Sequence, residues 1–225
     1  MSEQRLFNAL PPAVIALAVI IFGVEAMFNL AERGLLGGPG GVAWRIGAIE
    51  NWGFFGQALD WMIASNQYPP QLLARFFSYP LLHLSFTHAL FACVFILAIG
   101  KMVGEAFGNL AVLVLFFIPA AFGALVYGLV LNDPQPLVGG FPGVYGLIGG
   151  YTFLLWLRAS SLGEHQLTAF RLIGVLLAIQ LLFGLVFGLS NDWVADLAGF
   201  VAGFLLSFPF VPGATALLME KLRRR

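Results

Sequence analysis

The stretch GGFPGVYGLIGGY, residues 139–151, decides how this chain is read. Its first five residues, Gly139, Gly140, Phe141, Pro142 and Gly143, spell G-x-F-x-G. With serine in third place, the same spacing is the turn that presents a nucleophile in many hydrolases. Phenylalanine has no atom that can attack a carbonyl. The stretch therefore carries the outline of a catalytic turn with its working group absent, on what is also a glycine-rich helix start.

The surrounding chain sets the medium. Of 225 residues, 60% are hydrophobic and only 10% are charged, and mean hydropathy is +0.92. A soluble domain carries roughly 25% charged residues, so the composition is that of a polytopic membrane protein. A net charge of zero offers no electrostatic case for nucleic acid or acidic partners. Cys93 is the one cysteine; it has no internal disulfide partner and says nothing about redox compartment. Neither a cofactor nor a metal site is expected. The run from Ala13 to Val24 follows Arg5 as in a signal peptide, but it continues through Met27, Phe28 and Leu30, which favours a retained first span.

A span needs roughly 20 mostly apolar residues. Six stretches qualify, at about 11–31, 78–100, 108–131, 142–158, 168–189 and 194–217. The reading is an all-α polytopic bundle in one domain, residues 1–225, with a long first loop at about 32–77 and a basic tail at 220–225. The loop is too polar to span and too aromatic for a plain linker. Trp52, Phe54, Phe55, Trp61 and Met62 read as interfacial, because amphipathic rings favour the headgroup level. Six spans put both termini on one side, with Arg5, Lys101, Arg158, Arg171, Lys221, Arg223, Arg224 and Arg225; Arg33, Arg45 and Arg75 lie opposite. Eight basic residues against three predict cytoplasmic termini and an outward first loop. The lipid bilayer is then an obligatory partner.

Ionisable groups inside spans are functional candidates by default. Glu25, His83, His88 and Asp196 all fall toward the first-loop ends of their spans, and could share one polar layer. Glu25 reads plainly as a solvated carboxylate near the interface, and the histidines as neutral packing residues. Asp196 is harder to dismiss among Trp193, Val194, Ala195 and Leu197, where an isolated charge is costly. It must be protonated or paired, and His88 is the expected partner. Small-residue pairs at Gly139 and Gly143, Gly146 and Gly150, and Gly199 and Gly203 allow close helix approach. They predict that the fourth and sixth spans pack tightly, bringing Phe141 near Asp196.

Three stretches in order now resemble the rhomboid family, the six-helix intramembrane proteases with a Ser–His dyad. In "ARFFSYPLLHLSFTHALFACVFILAIGKMVGEAFG", Arg75 stands at the family's first-loop Arg with Ala74 for its usual Trp. His83 and His88 keep the step between the family's two histidines. Gly100 and Gly108 are in register, and Gly104 occupies the place of the usual Glu, with Glu105 beside it. In "GGFPGVYGLIGGY", Tyr145, Gly146, Leu147, Gly149 and Tyr151 fit the family's nucleophile helix. In "DWVADLAGFVAGF", Gly199 and Gly203 match its last helix. The likeness covers residues 74 to 206. It implies that Phe141 holds the nucleophile position and Asp196 the general-base position. It also implies that His88 and Ala92 hold the oxyanion positions, where Ala replaces the family's Asn.

A serine protease needs a nucleophile, a base and oxyanion donors; of the side chains family members use, only His88 remains. A substitute Ser85–His88 dyad and an Asp–His pair activating water are both disfavoured; a helical Ser bonds its own backbone. The resemblance implies a catalytically degenerate member that binds transmembrane segments of client or partner proteins. The alternatives are an active intramembrane endopeptidase of atypical mechanism and a structural subunit of a larger membrane complex. The expected location is a bacterial inner (plasma) membrane.

Overall fold

The computed structural model describes residues 9–131, 133–187 and 190–211. Arg5, the basic tail at 220–225 and the end of the last predicted span lie outside them. The described residues form nine α-helices, joined by short 3-10 turns.

The first helix, α1, is Pro12–Glu32. Proline at its first position has no N–H to leave unpaired and a φ already set for helix. The Asn109 side chain accepts from the Ala13 N–H at 3.2 Å, so a residue far along the chain caps the start of α1. The first loop contains α2 (Trp44–Trp52), α3 (Gly56–Ser65) and α4 (Pro70–Ser78). Then come α5 (Phe86–Phe107), α6 (Asn109–Val130), α7 (Phe141–Leu162), α8 (Arg171–Phe187) and α9 (Trp193–Leu206).

Among the described residues, four helices are long and apolar enough to cross a membrane: α1, α5, α6 and the segment Trp193–Phe210. Two of the six predicted spans fall short by that measure. The α7 helix has 22 residues but spends many of them on glycine and tyrosine, and α8 has only 17. The second span also begins later than its sequence suggests, at Phe86 rather than residue 78. Pro80 sits in a 3-10 turn, Tyr79–Leu81, and Ser85 in extended backbone caps α5 by accepting the His88 N–H at 3.3 Å. That cap ends the option of a helix running straight through.

Helices α6, α7 and α9 form the tightest part of the bundle, and small residues explain it. Pro119 interrupts α6 and denies the Leu115 carbonyl its helical N–H donor. Gly146 lets the α7 backbone lie against that carbonyl and the Pro119 ring, where a Cβ would stand 2.5 Å from the Pro119 Cβ. On α9, Gly203 faces the Gly146 backbone and Gly199 the Pro142 carbonyl. The α7–α9 contact is thus backbone against backbone. Gly143 faces Phe116 of α6, Gly149 faces α9, and Gly139 is not helical, with φ 113°.

The first loop is partly core. Phe54 and Met62, expected at the membrane interface, are buried against Tyr79, Ala124 and Tyr127. Trp52 and Trp61 do remain exposed. Met62 and Trp61 diverge because they lie on different faces of α3, while Phe54 is drawn inward by its bridge to Leu137.

Candidate functional site

The residues before α7 are held by the first loop and the approach to α5. Phe54 and Leu137 exchange backbone hydrogen bonds, Phe54 N–H to Leu137 O at 3.1 Å and Leu137 N–H to Phe54 O at 2.8 Å. The Gly139 N–H donates to the Tyr79 carbonyl at 3.1 Å, and the Tyr79 hydroxyl donates to the Ala120 carbonyl at 2.7 Å. The Gly140 N–H donates to His83 Nε2 at 3.2 Å. Phe141 then opens α7 with Pro142 behind it, so the motif is a loop-to-helix turn with its third residue at the first helical position.

Behind His83 stands a buried ion-pair network. The Arg45 guanidinium donates to Glu25 through Nη1 and Nη2, at 2.8 and 2.9 Å. It also donates to Glu32 through Nε and Nη2, at 2.6 and 3.4 Å, and from Nη1 to the His83 carbonyl at 2.7 Å. All five N–H donors of the side chain are used. Bonding to Glu25 is the largest influence raising the Arg45 pKa above its already high ordinary value. Glu25, read as a solvated carboxylate, is only 1% exposed, with Asn29 donating to it as well, at 2.6 Å. The correction has a simple cause: a carboxylate can be buried where a planar cation comes to meet it. Its partner is 20 residues away, in a segment read as loop.

The four ionisable candidates therefore do not form one cluster. Glu25 and His83 join through Arg45. The His83 and His88 rings meet edge to face, centroids 5.0 Å apart. Asp196 lies elsewhere and does not pair with His88. Its Oδ2 accepts from Gln180 Nε2 at 2.8 Å, and Gln180 Oε1 accepts from the Tyr145 hydroxyl at 3.1 Å. His88 is occupied by aromatic neighbours: Phe141 stacks on it with centroids 5.2 Å apart and planes 12° from parallel. It also lies over the α-carbon of Gly139, where a Cβ would come within 2.6 Å of the ring. Gln180 carried no signal in the sequence, being one amide in an apolar helix.

These groups border one cavity of about 550 Å³, set between α5, α7, α8 and the start of α9. His88, Phe141, Tyr145, Gln180, Ser190 and Asp196 line it, with apolar side chains completing the wall. Phe141 and Asp196 both line this cavity. Ala92 is fully buried one turn beyond His88 and is not part of the lining. Ser85 is spent on capping α5 and does not line the cavity either. Arg75 lies in the first loop, donating to the Glu50 carbonyl at 3.0 Å and the Gly53 carbonyl at 3.4 Å, with its guanidinium over the Phe55 ring. It braces the loop rather than the cavity.

A family model described as Rhomboid domain matches residues 70–213, more than half of the chain. No curated protein matches it.

Proposed function

The chain belongs to the rhomboid family, and on that premise we propose that it is a member without protease chemistry, which binds transmembrane segments of other membrane proteins. The observation that carries this reading is the Phe141 ring stacked on His88 in the wall of the cavity. At the family's nucleophile position stands a side chain that cannot form an acyl-enzyme. At its base position stands a carboxyl already bonded to Gln180. The residue at the oxyanion Asn position, Ala92, has no donor to offer, and losing one oxyanion donor alone costs about 10²–10³ in rate.

By the family resemblance, a client helix would enter beside α8. Among the described residues, α8 supplies Leu176, Ile179 and Gln180 to the cavity wall. In this reading the chain has six spans, α7 and α8 included, with both termini cytoplasmic and the first loop outward. The apolar part of a helix face entering beside α8 would meet Phe141, Ile148 and Leu176. The bound segment would be held by packing and by a few polar contacts, as helices are in lipid.

The test joins two measurements on the purified full chain in lipid nanodiscs. A fluorophosphonate probe should not label the wild type, and a model transmembrane substrate should stay uncleaved. A photo-crosslinking residue in place of Leu176 should capture a single-span host peptide, while one at exposed Leu110 on α6 should not. Probe labelling that vanishes in Ser85→Ala or Ser190→Ala would overturn the non-proteolytic reading.

A further inference from the structure

The cavity holds an acceptor with nothing to accept from. Asp196 is 2% exposed and lines the cavity, and while Gln180 satisfies Oδ2, Oδ1 has no hydrogen-bond partner among the described residues. Gln180 is not free to serve both oxygens, because the Tyr145 hydroxyl fixes its carbonyl end. A buried polar atom without a partner is costly and usually has a reason.

The charge of the cavity is one-sided as well. Its lining has two carboxyl groups, Asp192 and Asp196, and no lysine or arginine. The chain from Leu181 to Leu189, which follows Gln180, contains no basic residue either. Arg45, which bonds the carbonyl of His83 next to the His88 ring, has all five donors committed to Glu25, Glu32 and His83. Apart from His88, Tyr145, Gln180 and Ser190, the rest of the wall is apolar, with Phe141, Ile148, Leu176 and Ile179 among its residues. An apolar channel ending on a carboxyl suits an alkyl stem with a cationic head.

We propose that the bound segment is a transmembrane helix carrying one lysine or arginine near the end of its span on the first-loop side, and that this cation bonds Asp196 Oδ1. The inference rests on the binding role proposed above and specifies its ligand. A cation in a span is costly alone and finds its partner in the protein interior. The cost to the client and the unpaired oxygen here are relieved by the same contact. Asp192, at the loop end of the cavity, adds a second negative group without needing to touch the cation.

The experiment uses the full chain in phosphatidylcholine nanodiscs and a Leu/Ala single-span host peptide, read by energy transfer. Four peptides are compared: a lysine one third of the way from the end, leucine there, glutamate there, and lysine at the midpoint. The end-third lysine peptide should bind roughly three- to twentyfold more tightly than the leucine peptide, the range that single polar contacts between membrane helices reach. Asp196→Asn should reduce that preference to near unity. A photo-crosslinker one residue from the lysine should attach, in the wild type, to Tyr145, Gln180 or residues 192–196. This reading does not depend on the variant folding.

Equal binding of lysine and leucine peptides, a preference for glutamate or for the midpoint lysine, or crosslinks elsewhere would overturn the inference and leave the binding role standing. A lysine preference that persists in a folded Asp196→Asn protein would overturn the assignment to Asp196. Failure of every host peptide to bind would overturn both readings.

Discussion

Removing Arg45 should unfold the first-loop end of the bundle more readily than any surface substitution. Arg45→Ala leaves Glu25, 1% exposed, with Asn29 as its one remaining side-chain donor, and leaves the His83 carbonyl without its 2.7 Å partner. Breaking a buried ion pair from one side costs about 3–5 kcal/mol. For a chain of this size each kcal/mol shifts the melting temperature by about 2–4 °C, so a fall of roughly 6–20 °C follows from the same scaling. Arg45→Lys should fall between wild type and Arg45→Ala. Its ammonium keeps the charge but has three donors, against the five used here. The double change Arg45→Leu with Glu25→Leu should recover part of the loss, because an apolar pair leaves no orphaned charge. The assay is thermal unfolding in mild detergent, followed by near-ultraviolet circular dichroism. Arg45→Ala melting within about 1 °C of wild type, less than the shift expected for even 1 kcal/mol, would refute the network's role. A double variant as unstable as the sum of its parts would do the same.

Two further outcomes follow from packing and from charge. Gly203→Ala should destabilise, because a Cβ there would stand 2.6 Å from the Gly146 α-carbon, backbone that cannot swing away; Gly23→Ala meets nothing within 4 Å and should be neutral or gain up to about 1 kcal/mol of helix propensity. Parallel detergent melts check both. Single cysteines at 225 and beside Asp133 test orientation. The eight-to-three basic asymmetry predicts that a membrane-impermeant maleimide labels 225 only from the cytoplasm and 133 only from outside.

What the sequence determined on its own is what local composition and spacing encode. Apolar runs of span length, the glycines of α7 and α9, and the ordered stretches shared with the rhomboid family were all legible, because each depends on residues close together in the chain. So were the letters at the positions that the resemblance assigns to the family's chemistry, Phe141, Ala92 and Asp196. Only the tertiary structure decided who meets whom. Glu25 finds Arg45 from 20 residues away and His83 finds the Gly140 N–H from 57 away. Asp196 bonds Gln180 rather than His88, whose ring is covered by Phe141. Phe54 and Met62 turn inward while Trp52 and Trp61 stay out. Hydropathy measures how a residue partitions between water and lipid, and it carries no information about a partner. In a bilayer, where apolar side chains gain little by leaving lipid for protein, the pairing of a few polar groups and the closeness of a few backbones settle the arrangement. Those depend on three-dimensional position alone.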